Sequence, residues 1–209
     1  MAPQDLEKFL LNFNVSRESC LRLEAYVQLL QTWQAKINLI GPSTVDDIWR
    51  RHIADALQLR PLMKEGTPVV ADLGSGAGIP GLILALAYGL QVHLYESNGK
   101  KAAFLREVTR QTKIDATVHQ VRLETLEQCL PKALPQYVTA RALAPLAKLL
   151  LWSQPFLSRG AIGLFHKGQD VDSELTEATK IWKIGALVKH PSLTDSKGTI
   201  LEVKEISRV

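Results

Sequence analysis

Hydrophobic positions along this chain follow two different rhythms. In the first third the period is helical. Leu23, Val27, Leu30 and Ile37 recur on one face with Tyr26 and Trp33 beside them, predicting an amphipathic helix over about 17–36. Gly41-Pro42 breaks that pattern. Ser43 or Thr44 then reads as the cap of a second helix, with Asp46 and Asp47 in a first turn that favours acids. That helix would carry Ile48, His52, Ala56 and Leu59 and stop at Pro61. From residue 67 short apolar runs alternate with helical patterns. Strands are predicted at 68–73, 91–96, 116–121, 137–141, 161–166, 184–189 and 199–205. Helices fill most of the gaps, for instance Pro80–Tyr88, Lys100–Thr112 and Pro145–Leu157. The chain thus reads as a helical extension over 1–62, followed by an α/β domain over 63–209.

Strand–helix alternation of this kind implies a mostly parallel, doubly wound, Rossmann-like sheet of seven strands. The last two strands are separated only by Pro191–Gly198, too few residues for a crossover helix, so they are expected to pair antiparallel. A parallel sheet closed by such a hairpin favours the methyltransferase version of this architecture over the dinucleotide version.

Composition adds exclusions. Hydrophobic residues make up 46% and charged ones 22%, the profile of an ordinary globular chain. No apolar run approaches the roughly 20 residues of a membrane span. Met1-Ala2-Pro3-Gln4-Asp5 lacks the basic-then-apolar order of a signal peptide. The expectation is therefore a cytoplasmic protein away from membranes. Cys20 and Cys129 lie far apart with no CxxC or histidine cluster, which reads as two reduced thiols and no metal site. A net charge of +4 permits an anionic partner without establishing one.

The richest chemistry lies in Val69–Gly81, where an apolar run, an acid and four glycines meet the start of a helix. Open α/β sheets bind nucleotide-like ligands at such a turn, because a backbone without side chains lets the ligand lie against it. Two ligands compete. Gly76-x-Gly78-x-x-Gly81 is a literal GxGxxG with Glu96 about 20 residues beyond its first glycine, the dinucleotide fingerprint. Register argues for S-adenosylmethionine instead. The strand ends at Leu73, the turn begins at Gly74, and Asp72 at the strand tip would meet the methionine ammonium through water, whereas a pyrophosphate gives it no role. A buried, unpaired Asp costs several kcal/mol and so calls for a partner. Glu96, ending the second strand, can accept from both ribose hydroxyls in either reading. Glu124 falls after the third strand, where adenine is usually held, or else serves as a helix N-terminal acid.

The acceptor is narrowed by elimination. Methylation at cytosine C5 needs a thiolate, and neither Cys20 nor Cys129 is suitably placed. Amine methylation commonly uses an Asn/Asp-Pro-Pro-aromatic turn after the fourth strand, where this chain has Thr139-Ala140-Arg141-Ala142. A ring nitrogen with a free lone pair needs only alignment and desolvation. The lack of an obvious base, nucleophile or metal therefore fits N7 of guanine, with no catalytic side chain assigned.

Asp72-Leu73-Gly74-Ser75-Gly76-Ala77-Gly78-Ile79-Pro80-Gly81 resembles the DxGxGxGxPG segment of the ribosomal small-subunit methyltransferase G family, also called glucose-inhibited division protein B. Four further segments agree in order. Asn38-Leu39-Ile40 with Arg51-His52-Ile53-Ala54-Asp55 is similar to the family's NL and RHxxD signature. Glu96-Ser97-Asn98-Gly99-Lys100-Lys101 with Phe104-Leu105 resembles DSxxKRxxFL. Thr139–Ala142 matches an S/A-R-A turn, and His166-Lys167-Gly168 a KG turn. The resemblance covers about residues 20–170 and is weak in the C-terminal third, where Lys197-Gly198-Thr199 stands where the family tends to have an arginine. It implies a class I S-adenosylmethionine-dependent fold and N7-methylation of one guanosine in 16S rRNA, on the small subunit or an assembly intermediate. The cofactor contacts it implies are Gly74, Ile79, Leu123, Glu124 and Arg141.

Lys100, Lys101, Arg122, Arg141 and Lys167 all fall at or after strand ends, on the rim of the glycine turn, where they would hold RNA phosphates. Arg106, Arg110 and Lys113 form a stripe that reads as a solvated helix face. His52 reads as a packing histidine. The expectation is a monomeric rRNA methyltransferase. An NAD(P)-dependent oxidoreductase and a non-catalytic RNA-binding module remain as alternatives.

Overall fold

The β-branched and aliphatic runs after residue 67 form a seven-stranded sheet in a computed structural model that describes residues 10–209. Met1–Asp5, part of the signal-peptide reading, lies outside the described residues. The strands are β1 (Val70–Leu73), β2 (Val92–Tyr95), β3 (Ala116–His119), β4 (Tyr137–Arg141), β5 (Ile162–Lys167), β6 (Trp182–Pro191) and β7 (Thr199–Arg208). Their spatial order is β3-β2-β1-β4-β5-β7-β6. The first five are parallel, and β7 runs antiparallel between β5 and β6. The expected C-terminal hairpin is therefore present, and both its strands run longer than the apolar pattern indicated. Chain order reverses between β1 and β4, so the switch point lies above the carboxyl ends of those strands, where α/β sheets bind ligands.

Central strands β1 and β2 are buried throughout, as parallel strands covered on both faces must be. Alternation along β1 sends Val70 and Asp72 to one face, Ala71 and Leu73 to the other. The first face is covered by α3 (Gly81–Tyr88) and α4 (Gly99–Thr112), with α1 (Arg17–Gln34) packed against those two helices. The second is covered by α5 (Leu146–Leu157) and α6 (Val171–Thr179). Leu23, Tyr26 and Leu30 of α1 share one core with Leu82, Leu86, Val92 and Phe104. The N-terminal helices thus pack as a wall of the sheet domain.

α1 opens on Ser16, whose hydroxyl accepts from the Ser19 amide and caps the helix. The single second helix expected from residue 43 is not formed. The chain instead makes a 3₁₀ turn (Pro42–Asp47), a π-helical turn (Trp49–Ala54), a short α-turn (α2, Asp55–Leu57) and another 3₁₀ turn (Arg60–Leu62). Thr44 does not cap: its hydroxyl donates to the Gly41 carbonyl and contacts His52 Nε2 at 2.8 Å. The π-turn is widened, a geometry often found at functional sites, and it carries His52 with Asp55 following directly. No helix among the described residues is long and apolar enough to cross a membrane.

Candidate cofactor and acceptor site

The glycine turn bends because Gly74, Gly76 and Gly78 all sit at positive φ, at +64°, +56° and +87°. They serve different ends. A Cβ on Gly74 would lie 2.3 Å from Leu143 Cδ1, and one on Gly78 would lie 2.6 Å from Leu82 Cβ. A Cβ on Gly76 would meet nothing closer than the Gly74 carbonyl at 3.8 Å. Gly78 is thus a packing glycine that lines neither lobe of the cleft, contrary to its expected ligand role. Gly76 faces open space. Ser75 Oγ donates to the Asp72 carbonyl at 2.9 Å, and Tyr26 of α1 donates to the Ala77 carbonyl at 2.9 Å, fixing the turn from both sides.

Two lobes open on this turn. The first, about 340 Å³, is bounded by Gly74, Gly76, Glu96, Leu123, Glu124, Leu143 and Trp152. The second, about 330 Å³, is bounded by Ile40, Thr44, His52, Ser75, Ile79 and Arg141. Both include Gly74, Gly76, Lys101 and Ala142. Glu96 sits at the first lobe with Oε2 accepting from the Gly76 amide (2.8 Å) and Oε1 from the Asn98 amide (2.7 Å). These bonds lock the carboxylate in place and leave each oxygen a further lone pair for a ligand hydroxyl.

Asp72 lies elsewhere than expected. It is fully buried, lines neither lobe, accepts from Thr139 Oγ1 at 2.7 Å, and packs under the helix start, where a Cβ on Gly81 would come within 2.5 Å of its own Cβ. The cause is strand alternation: residue 72 shares its face with Val70, beneath α3, and only the turn from Gly74 onward reaches the cleft. Burial pushes its carboxyl up to about 7, partly opposed by hydrogen bonding from Thr139, Ser75 and Gly81, while Oδ2 has no partner in good geometry. The folded chain therefore keeps this proton to near neutrality, whereas the unfolded chain releases it near 3.8. Asp72 erodes stability as pH rises through that window, by about 4 kcal/mol in full. Urea unfolding of Asp72→Asn and of the wild type at pH 4 and pH 8 should show the difference moving in favour of the Asn variant by that order. A pH-independent difference would contradict the assignment.

Arg141 is not a free cation. Its Nε pairs with Asp55 Oδ2 at 2.8 Å, Nη1 with His52 Nδ1 at 2.8 Å, and Nη2 donates to the Arg51 carbonyl at 2.8 Å. The extension thus grips the end of β4 through Arg51, His52 and Asp55, while Arg141 still forms part of the second lobe. His52 is held well toward neutrality, down to about 4, by burial and by Arg141. Lys167 is likewise engaged: Nζ donates to the Ala144 carbonyl at 3.0 Å and pairs with Glu174 at 2.5 Å, with its side chain 8% exposed. It braces the loop after β4 and does not present a charge to RNA. Lys100 and Arg122 are exposed and Lys101 is half-buried at the lobes. Arg106 bonds Gln120 and Arg110 pairs with Glu107, as on a solvated face.

The residues that sequence reasoning did not assign centre on Asp55. It is 6% exposed and also accepts from Thr194 Oγ1 (2.6 Å) and Gln58 Nε2 (2.7 Å), tying the β6–β7 loop to the extension. Arg51 adds a pair with Asp195 at 3.2 Å. An acid inside the apolar run Ile53-Ala54-Asp55-Ala56-Leu57 was the available signal, since such a group must be paired.

A family model described as rRNA small subunit methyltransferase G matches residues 19–199. Relatives named ribosomal RNA small subunit methyltransferase G include one from Paramagnetospirillum magneticum, 49% identical over 208 residues, covering 100% of this chain and 98% of the relative. Another, from Rhodospirillum rubrum, is 48% identical and covers 97% and 98%. Solved structures with the same fold include the glycopeptide N-methyltransferase MtfA complexed with S-adenosyl-L-methionine, at TM-score 0.57, 12% identity, and coverage of 73% and 93%. A ribosomal protein L11 methylase from Lactobacillus delbrueckii subsp. bulgaricus aligns at TM-score 0.51, 17% identity, and coverage of 73% and 76%. The fold is that of a class I S-adenosylmethionine-dependent methyltransferase, and the chain belongs to the rRNA small subunit methyltransferase G family.

Proposed function

We propose that this chain transfers a methyl group from S-adenosylmethionine to N7 of one guanosine in the 16S rRNA of the small subunit. The observation that carries the site assignment is the joining of the two lobes at Gly74, Gly76, Lys101 and Ala142. A cofactor with an adenosine end and a methionine end fits that shape. Glu96 would accept from the ribose hydroxyls, Leu123, Glu124, Leu143 and Trp152 would surround the adenine, and Gly74, Ile79 and Arg141 would bound the methionine portion. The bound cofactor supplies an electrophilic methyl group on a sulfonium.

What remains for the protein is alignment and exclusion of water. Gly76 lets the backbone approach, the Arg141 network fixes the end of β4, and Lys100, Lys101 and Arg122 offer charge to phosphates on the rim. Cys20 is buried in α1 and Cys129 ends the 3₁₀ turn Leu123–Cys129; neither lines the lobes. That supports an acceptor whose lone pair needs no covalent activation.

The test is methyl transfer from labelled cofactor to small subunits taken from cells lacking the modification, with the product mapped by cleavage at 7-methylguanosine. One labelled position at N7 is expected. Calorimetric binding of NADH with none of S-adenosylhomocysteine would instead support an oxidoreductase. Binding to small subunits without transfer would support a non-catalytic RNA-binding module.

A further inference from the structure

A third cavity, about 550 Å³, opens on the junction of the two cofactor lobes. It shares Ala142 with both lobes, Arg141 with the methionine lobe and Leu143 with the adenosine lobe. A base entering it would come up against the residue where the two halves of the cofactor meet. Ala142 itself stands at φ +50°, a conformation rare for a residue with a side chain and common at functional turns.

The charges around this cavity are unusual for an RNA-facing surface. Four carboxylates line it, and each would repel phosphates. Three are neutralised by a neighbouring cation: Asp55 by Arg141, Glu174 by Lys167 and Asp195 by Arg51. The fourth, Asp170, has no side-chain partner among the described residues. It occupies the N-cap position of α6, where an aspartate ordinarily accepts from the first-turn amides, yet it makes no capping bond.

His166 lines the same cavity with its side chain 9% exposed. Its Nε2 lies 2.8 Å from the Asp55 carbonyl, so that nitrogen carries the proton. Nδ1 is left as a bare acceptor, buried and without a partner. His166 Nδ1 is sealed within the wall, so Asp170, exposed at the cavity, is the one lining carboxylate among the described residues free to accept from a ligand, and it calls for a ligand edge made of donors. Guanine presents one, N1–H beside the N2 amino group, whereas adenine carries a lone pair at N1.

We propose that this cavity receives the acceptor guanine flipped out of the RNA, and that the Asp170 carboxylate accepts from its N1–H and N2 amino group. Asp170 is then the specificity-determining residue of the reaction. N7 lies on the opposite edge of the purine from N1 and N2, so a base held this way keeps N7 clear of the carboxylate. The inference rests on the reading that guanine N7 is the acceptor.

The test uses small subunits reconstituted with 16S rRNA carrying guanosine or inosine at the methylated position; inosine keeps N7 and N1–H but lacks the amino group. The wild-type protein should favour guanosine by about 10-fold in kcat/KM. Asp170→Ala should lose about 10- to 100-fold on guanosine, level the two substrates, and bind S-adenosylhomocysteine like the wild type. Asp170→Glu should recover part of the preference. A wild-type rate or an undiminished guanosine preference in Asp170→Ala would overturn the subsite. Absence of any N7 transfer by the wild type would instead overturn the functional reading beneath it.

Discussion

Replacing Gly76 by valine should weaken S-adenosylhomocysteine binding at least about 100-fold in titration calorimetry, about 2.7 kcal/mol, while leaving a chain that still unfolds cooperatively. Gly76 stands at φ +56°, borders both lobes, and donates its amide to Glu96. A side chain there meets no protein atom closer than 3.8 Å at Cβ, so the folded core has room for it. The space it would fill is the space assigned to the cofactor. Holding a β-branched residue in the left-handed region costs about 1–3 kcal/mol, which lowers the melting temperature by about 2–12 °C for a domain of this size. Gly78→Ala should behave oppositely, because its Cβ would collide with Leu82 at 2.6 Å beneath the turn. Its main loss should be in stability. Near-wild-type affinity in Gly76→Val would mean that no ligand approaches the backbone there.

Asp55→Ala should be the most damaging single change to the fold outside the apolar core, at about 3–5 kcal/mol in urea unfolding. Asp55 answers Arg141, Thr194 and Gln58 together. Removing it strands the Arg141 guanidinium, whose side chain is 22% exposed, without its counter-charge, and frees the loop between β6 and β7. Asp55→Asn keeps acceptors for Thr194 and Gln58 and loses the charge, so it should fall between wild type and Asp55→Ala. The exposed pair of Glu107 and Arg110 provides the contrast: removing either should leave the unfolding midpoint essentially unmoved. A loss under about 1 kcal/mol for Asp55→Ala would show that water replaces the network at little cost.

The strand–helix order and the closing hairpin were legible from the sequence because they depend on period and loop length, both local. Pro191–Gly198 could not hold a crossover, and β6 and β7 do pair antiparallel. The broken helix after Gly41 was not legible: its 3₁₀ and π turns are selected by contacts to residues far along the chain, above all Arg141 and Thr194. Asp72, Arg141 and Lys167 illustrate the same limit in the site. Residue type and strand-end position suggested groups facing ligand or RNA, whereas orientation and pairing turned each toward the protein. A sequence shows where a charge sits along the chain, and only the fold shows which other charge answers it.

Arg141 is a wall common to the methionine lobe and the larger cavity beside it, and it is also bound to the extension. On the proposed reading, any free energy spent in shifting this shared side chain for the first ligand would already be spent when the second arrives, which would link the two binding equilibria. Linkage of that kind is reciprocal: whatever factor the nucleic acid imposes on cofactor affinity, the cofactor imposes on nucleic acid affinity. The guanidinium pinned by Arg51, His52 and Asp55 thus makes order of binding and retention of product questions of thermodynamics as well as of access.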